Sequence, residues 1–423
     1  MKLTLPCDRS QLQIEIDDAN FAGALVSKVE SYRPSMSSVD SVEHALDHPI
    51  GAPRLEELAR GQKNVVIIDS DHTRPVPSHI LTPILLRRIR SANPGANITI
   101  LVGTGFHRPS TRAELIAKYG QEIVDRERIA IHVSHEDEAM VKIGTLPSGG
   151  ECFVNRLALE ADLLLGQGFI EPHLFAGFSG GGKCVLPAIS SYRTIMANHC
   201  ADFIASPRSR AGCLDGNPIH VDMVYAARAA RVQFILNVVL NAKKEIIGSF
   251  AGDVERAHEA GTKFLGSLAR VKKVPCDIAV STNGGYPMDQ NIYQAVKGMT
   301  AGEATNKDGG VVIMVAGLAD GHGGEGFYEN LAGSKSPREF LQRVAKTDRN
   351  HTVPDQWESQ ILARILSQHR VIMVSDLVKR ELVTNMHMEL ARTFNAALRR
   401  AYEIEGRDAR VAVIPDGLAV IVE

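Results

Sequence analysis

Aromatic side chains make up only 5% of this 423-residue chain, and tryptophan occurs once, at Trp357. A surface that stacks nucleobases needs rows of such rings, so their scarcity argues against a single-strand nucleic-acid binder. Net charge is also scarce. Lys plus Arg number 47 against 49 Asp plus Glu, a formal charge of −2, so no global field draws the chain to nucleic acid or to an anionic membrane. No stretch approaches the roughly 18 apolar residues of a membrane span. The opening MKLTLPCDRS lacks the apolar core of a secretory signal, which predicts a soluble, cytoplasmic protein. The six cysteines (Cys7, Cys152, Cys184, Cys200, Cys213, Cys276) include no C-x-x-C pair. Reduced and mostly buried thiols are expected, not disulfides or a structural zinc. There is no repeat of fixed period and no low-complexity tract. What remains is a protein whose partner is a small molecule.

Aliphatic residues are plentiful, and they come in short runs. The opening LTLPCDRSQLQIEI alternates apolar and polar residues around a turn, the pattern of an antiparallel hairpin that covers a sheet edge. From about residue 65 a strand, a polar or glycine-rich loop and a helix recur: VVII then DSDHTRP, ITILV then GTGFHRP with Thr111 and Glu114 at capping-box spacing, DLLLG, and FILNVVL. A second block opens near residue 274 with CDIAVS, GVVIMV, RVIMV and RVAVI. Runs buried on both faces and alternating with helices predict an α/β protein with two doubly wound domains. The expected division is residues 1–270 and 271–423, with the last strand, near 411–423, packing back on the first domain. The active site is expected in the cleft between the domains, because such sheets bind ligands at the carboxyl ends of their strands.

The chemistry concentrates in EPHLFAGFSGGGKCVLPAISSYRTIMANH, from Glu171 to His199. Gly180, Gly181 and Gly182 before Lys183 suggest backbone brought close to a ligand, and a helix opening at Lys183 would aim N–H groups and an ammonium at a phosphate. The stretch matches a P-loop through seven positions, but Cys184 stands where a Mg²⁺-binding hydroxyl belongs. Among the other loops, Asp71 and Arg74 offer a carboxylate and a guanidinium three residues apart. His107 and Arg108 offer an acid/base group and an anion clamp after two glycines. Tyr293, Gln294 and Lys297 fall on one side of a helix, and His322 and Trp357 are further candidates for lining a cleft.

Taken together, DSDHTRPVP, GTGFHRPS, EPHLFAGFSGGGK, MANH and NGGYPMDQNIYQAVKG make the chain resemble the nickel-dependent lactate racemase family over its whole length. The resemblance implies a nickel-pincer nucleotide, a pyridinium mononucleotide carrying nickel, attached through Lys183 and with His199 as metal ligand. It implies His107 and His173 as the two acid/base groups, and Asp71 with the glycines 180–182 around the cofactor. Arg74, Tyr293, Gln294, Lys297 and Trp357 are implied around the substrate. The implied reaction inverts C2 of a 2-hydroxy acid such as lactate through a planar 2-keto acid. Hydride leaves C2 while one histidine takes the hydroxyl proton, which avoids a carbanion. Cofactor-building proteins are the implied maturation partners. Two other readings of the residues stay open: an NTP-dependent phosphotransferase, and a non-catalytic carrier of nickel or nucleotide.

Overall fold

The computed structural model describes residues 1–423, which divide into two compact α/β units. The first comprises residues 29–199 and 206–268, and the second comprises residues 1–28, 200–205 and 269–423.

In the first unit six strands lie in the order Ile246–Gly252, Phe234–Leu240, Leu163–Ile170, Asn64–Ser70, Asn97–Gly103, Arg128–Ile131. All pairings are parallel except that of the first two strands, which is antiparallel. The chain builds outward from Asn64–Ser70 in one direction and then restarts on its other side with Leu163–Ile170. That reversal is the switch point of a doubly wound sheet, where the loops after neighbouring strands diverge and leave a crevice. The strands are β-branched and leucine runs because both faces are covered. Val65, Ile67, Leu163, Leu165, Phe234 and Leu236 pack in one cluster with Leu81, Leu85 and Ile89 of the helix Ser78–Ala92. The four-residue spacing of those three puts them on one stripe, and each fully buried aliphatic side chain contributes about 1.5–3 kcal/mol. The expected capping box forms: Thr111 accepts from the Glu114 backbone N–H while the Glu114 side chain returns to the Thr111 N–H.

The second unit holds a fully parallel sheet in the order Glu389–Ala391, Arg370–Val374, Asn306–Val315, Cys276–Ser281, Val411–Ile414, Phe21–Ala24. Two expectations are corrected by it. Residues 1–28 belong with this unit: Phe21–Ala24 supplies its edge strand, and Leu5, Ile14 and Ile16 of the opening hairpin join a core with Ile278, Val280, Val311 and Val411. The late strand Val411–Ile414 does not pack back on the first domain either, because it pairs with Cys276–Ser281 inside this sheet. A four-residue strand with the sequence FAGA carries no mark of which sheet will take it. The long-range pairing decides. No helix of the chain is long and apolar enough to cross a membrane.

Candidate active site

Three adjacent strands of the first unit deliver most of the candidate residues. Asp71 follows Asn64–Ser70, His107 follows Asn97–Gly103, and His173 follows Leu163–Ile170. The outer two of these strand ends are two inter-strand spacings apart, about 10 Å.

Asp71 is 1% exposed, and both of its oxygens are engaged. Oδ1 accepts from the Thr73 backbone N–H at 3.0 Å and from the Thr73 hydroxyl at 2.6 Å, while Oδ2 accepts from His107 Nδ1 at 2.7 Å. Burial alone would raise the Asp71 pKa, but the hydrogen bond and charge of His107, together with Thr73 and Arg74, outweigh it and hold the group below its ordinary value. An ionised carboxylate only accepts, so His107 must carry its proton on Nδ1. When the ring is neutral, its Nε2 then presents a lone pair, the form a general base needs. The loop itself is seated on the segment after Lys183. Gly105, at φ +54°, donates its N–H to the Ala188 carbonyl at 2.9 Å, and a Cβ on Gly103 would stand 2.7 Å from the Ala188 Cβ.

His173 is held in the opposite sense. It lies in a tight hairpin in which Pro172–His173 pairs with Gly177–Phe178, and its Nδ1 accepts from the Ala176 backbone N–H at 3.3 Å. A ring whose Nδ1 accepts carries its proton on Nε2 when neutral. While neutral, His107 therefore offers a lone pair on Nε2 and His173 an N–H donor on Nε2, each set by a neighbour and not by its own type.

The Phe175 ring links His173 to His199, with centroid separations of 4.5 Å to the first and 5.2 Å to the second, both edge-to-face. His199 is the residue after the helix Tyr192–Asn198 and is 6% exposed. Burial first, and then the nearby Lys183 ammonium, push its imidazole down to about 3, so it is neutral and suited to bind a metal. Lys183 and His199 are thus brought together.

The glycine loop departs from expectation. Gly181–Cys184 is one 3-10 turn, not the start of an α-helix, and turns follow it as far as residue 189. The glycines answer to packing: a Cβ would stand 2.7 Å from Asn237 Oδ1 at Gly180, 2.6 Å from the His258 ring at Gly181, and 2.5 Å from the Met223 carbonyl at Gly182. The Gly181 N–H is also spent on Asn237 Oδ1 at 2.8 Å. The P-loop reading and the anchoring of a phosphate on a helix opening at Lys183 are corrected accordingly. Beneath the loop, His258 Nε2 lies 2.9 Å from the Ser179 carbonyl and fixes the turn. The anion clamp expected of Arg108 is corrected too, since its guanidinium is spent on Glu114 at 2.6 Å. Arg74 is exposed and contributes positive charge beside Asp71.

In the second unit, the helix Ile292–Thr305 follows the strand Cys276–Ser281 and is capped by Asn291, whose side chain accepts from the Gln294 N–H. Lys297 Nζ donates to Gln294 Oε1 at 2.7 Å, and Trp357 Nε1 donates to the Tyr293 hydroxyl at 3.2 Å. Tyr293, Gln294, Lys297 and Trp357 thus form one cluster within that unit. His322 belongs to the adjoining loop, where its carbonyl accepts from the Tyr293 N–H at 3.1 Å and its ring stacks on Tyr328.

Family models for the lactate racemase N-terminal and C-terminal domains match residues 7–212 and 271–422. The chain belongs to the lactate racemase family. Lactate racemase of Lactiplantibacillus plantarum is 62% identical over 421 residues, covering 100% of this chain and 99% of that one. Lactate racemase of Thermoanaerobacterium thermosaccharolyticum is 52% identical over 420 residues, covering 99% of both. The solved structure of the lactate racemase apoprotein from that organism superposes with a TM-score of 0.97 at 51% identity over the whole of both chains. As a lactate racemase family member the chain is an enzyme of the isomerase class. Sequence reasoning passed over Thr73, Phe175, His258 and Glu358, the last a buried carboxylate next to Trp357. None carried a signal, because a threonine in a turn or a phenylalanine between two motifs reads as ordinary scaffold.

Proposed function

We propose that the enzyme racemises lactate with His107 and His173 as paired acid and base, and that it uses a nickel-pincer nucleotide. One observation carries the reading. The two imidazoles that the family resemblance names each have Nδ1 engaged by a neighbour, His107 Nδ1 donating to the Asp71 carboxylate and His173 Nδ1 accepting from the Ala176 N–H. Hydroxyl deprotonation on one face and reprotonation on the other require one base and one acid.

His107 accepts the hydroxyl proton of the enantiomer that presents it there, with Asp71 stabilising the imidazolium that results. His173, as imidazolium, gives its Nε2 proton to the oxygen of the planar 2-keto acid when that oxygen faces it and keeps the proton on Nδ1, which requires the bond from the Ala176 N–H to open; the opposite enantiomer uses the two in reverse. On the family resemblance, substrate binding is assigned to Arg74 of the first unit and to Lys297, Gln294, Tyr293 and Trp357 of the second.

The residues fit the cofactor. His199 is a neutral buried imidazole beside Lys183, and no group of three or more His, Cys, Asp or Glu side chains converges as a metal site, so the remaining donors to nickel must come with the bound group. Lys183 would attach it, His199 would ligate the metal, and the Gly180–Gly182 turn would back it. When bound, the group supplies a reversible hydride acceptor for C2. Action in the cytoplasm, and loading by cofactor-building proteins, belong to the same proposal.

The test follows optical rotation of L-lactate and of D-lactate with holoenzyme, alongside His107→Ala and His173→Ala. Both variants are expected to keep their nickel and to lose racemisation. Appreciable interconversion by either variant sinks the assignment.

A further inference from the structure

The peptide between Phe175 and Ala176 is held at both ends. Its N–H donates to His173 Nδ1 at 3.3 Å, and its carbonyl accepts from Asn217 Nδ2 at 2.8 Å. A planar trans peptide points these two groups in opposite directions, so turning one turns the other. A chain of two hydrogen bonds therefore runs from Asn217 through one peptide to the His173 ring. Asn217 lies in none of the motifs that named the site.

Asn217 caps the helix Pro218–Ala229 and is fully buried. Its Oδ1 accepts from the Ile219 N–H at 3.1 Å and the His220 N–H at 3.4 Å, and its Nδ2 also donates to the Cys213 carbonyl at 3.0 Å. Both ends of the amide are thus used, and a flipped amide would set its oxygen against two carbonyls. A cap needs only an oxygen, which serine or aspartate supplies as well. The amide nitrogen is what capping leaves unexplained. The His173 hairpin is seated on the same loop: the Gly212 N–H donates to the Gly177 carbonyl at 2.9 Å, and a Cβ on Gly177 would run into the Cys213 carbonyl oxygen. All of these residues belong to the first unit.

We propose that Asn217 is a positioning residue for the reaction: by holding the Phe175 carbonyl it aims the Ala176 N–H at His173 and so keeps the neutral ring protonated on Nε2. Donation to the carbonyl also polarises the peptide and makes its N–H a stronger donor. Without the amide, a buried carbonyl has to find another donor, and the peptide turns to do so. The consequence for turnover is direct. While the Ala176 bond is closed, neutral His173 has no lone pair on Nε2 and takes no hydroxyl proton there, so the resting enzyme takes that proton through His107. His173 changes state only when the bond opens, and Asn217 governs that opening. The proposal rests on the reading that His173 is the second acid/base group.

The experiment records ring nitrogen-15 spectra of holoenzyme labelled on histidine, at about pH 9, where a ring of ordinary pKa, about 6.5, is neutral. Nitrogens with and without hydrogen are well separated in such spectra, and the signals lost in His173→Ala and in His107→Ala assign the two rings. The expected wild-type result is the Nε2–H form at His173. Asn217→Asp and Asn217→Ser each keep an oxygen for the cap and lose the amide donor. In both, the ratio of Nδ1–H to Nε2–H at His173 is expected to rise about three- to tenfold, the worth of one hydrogen bond, with His107 unchanged and far-ultraviolet circular dichroism that of wild type. Wild-type His173 in the Nδ1–H form overturns the proposal without any variant. So does an unshifted ratio in both folded variants, or a shift that His107 shares equally, which marks general loosening of the fold. Racemisation by His173→Ala separates the two levels of the argument. Its loss there, with unshifted spectra in the Asn217 variants, refutes the role of Asn217 alone, whereas undiminished racemisation refutes the role of His173 and the proposal with it.

Discussion

Replacing Asp71 with asparagine tests whether the carboxylate is what makes His107 a base. The Thr73 N–H and hydroxyl both donate to Oδ1, at 3.0 and 2.6 Å, so in Asp71→Asn the amide oxygen takes that place. The amide nitrogen is then left at the position that faces His107 Nδ1 at 2.7 Å. A donor now meets Nδ1, the ring answers by accepting there, and its proton moves to Nε2. The base is lost until that new bond is broken. Undoing one such bond, and forgoing the charge assistance of the carboxylate, costs about 1.5–3 kcal/mol, or roughly 10- to 150-fold in kcat/KM. The assay is polarimetric racemisation of L-lactate by holoenzyme, with nickel content measured on the same sample. Activity of Asp71→Asn within threefold of wild type at equal nickel content would show that the carboxylate does not set the tautomer.

Other expectations follow from the same geometry. His199→Ala should load little nickel by elemental analysis while its far-ultraviolet circular dichroism stays that of wild type; unchanged metal content speaks against ligation. Gly182→Ala places a methyl group 2.5 Å from the Met223 backbone oxygen, an overlap that backbone cannot relieve by a rotamer change. A loss of about 2 kcal/mol or more in urea unfolding is expected, and a stability equal to wild type rules out the packing account of that glycine. His132 and His258 are buried and are pushed down from 6.5 to about 4, chiefly by desolvation. The unfolded chain therefore binds protons first as the pH falls. Their contribution is whole above pH 6.5 and is lost between about 6.5 and 4, at roughly 1.4 kcal/mol per pH unit for each group once the unfolded histidine is charged. Denaturant midpoints at pH 7 and pH 5 check the sign, with His132→Asn expected to flatten the slope.

Much of this enzyme was legible in one dimension. The runs VVII, ITILV and FILNVVL could only be strands covered on both faces, and the polar loops after them had to share one edge, because a parallel sheet points all its strand ends the same way. That rule placed Asp71, His107 and His173 on one rim before any coordinate was known, and motif resemblance named the family. The loop from Gly180 to Lys183 shows where such reading stops. Its glycines look like a ligand cradle in sequence, yet Asn237, His258 and Met223 occupy the space their side chains would need. Those partners lie more than forty positions away.

Local patterns reveal an element's type and the side chains it offers, since periodicity and turn chemistry act over a few residues. Which sheet receives Phe21–Ala24, which ring nitrogen of His107 and His173 keeps its proton, and whether Glu358 is buried are settled by neighbours brought in from far along the chain. Charge state and tautomer depend on what surrounds a group, and only the folded chain supplies those surroundings.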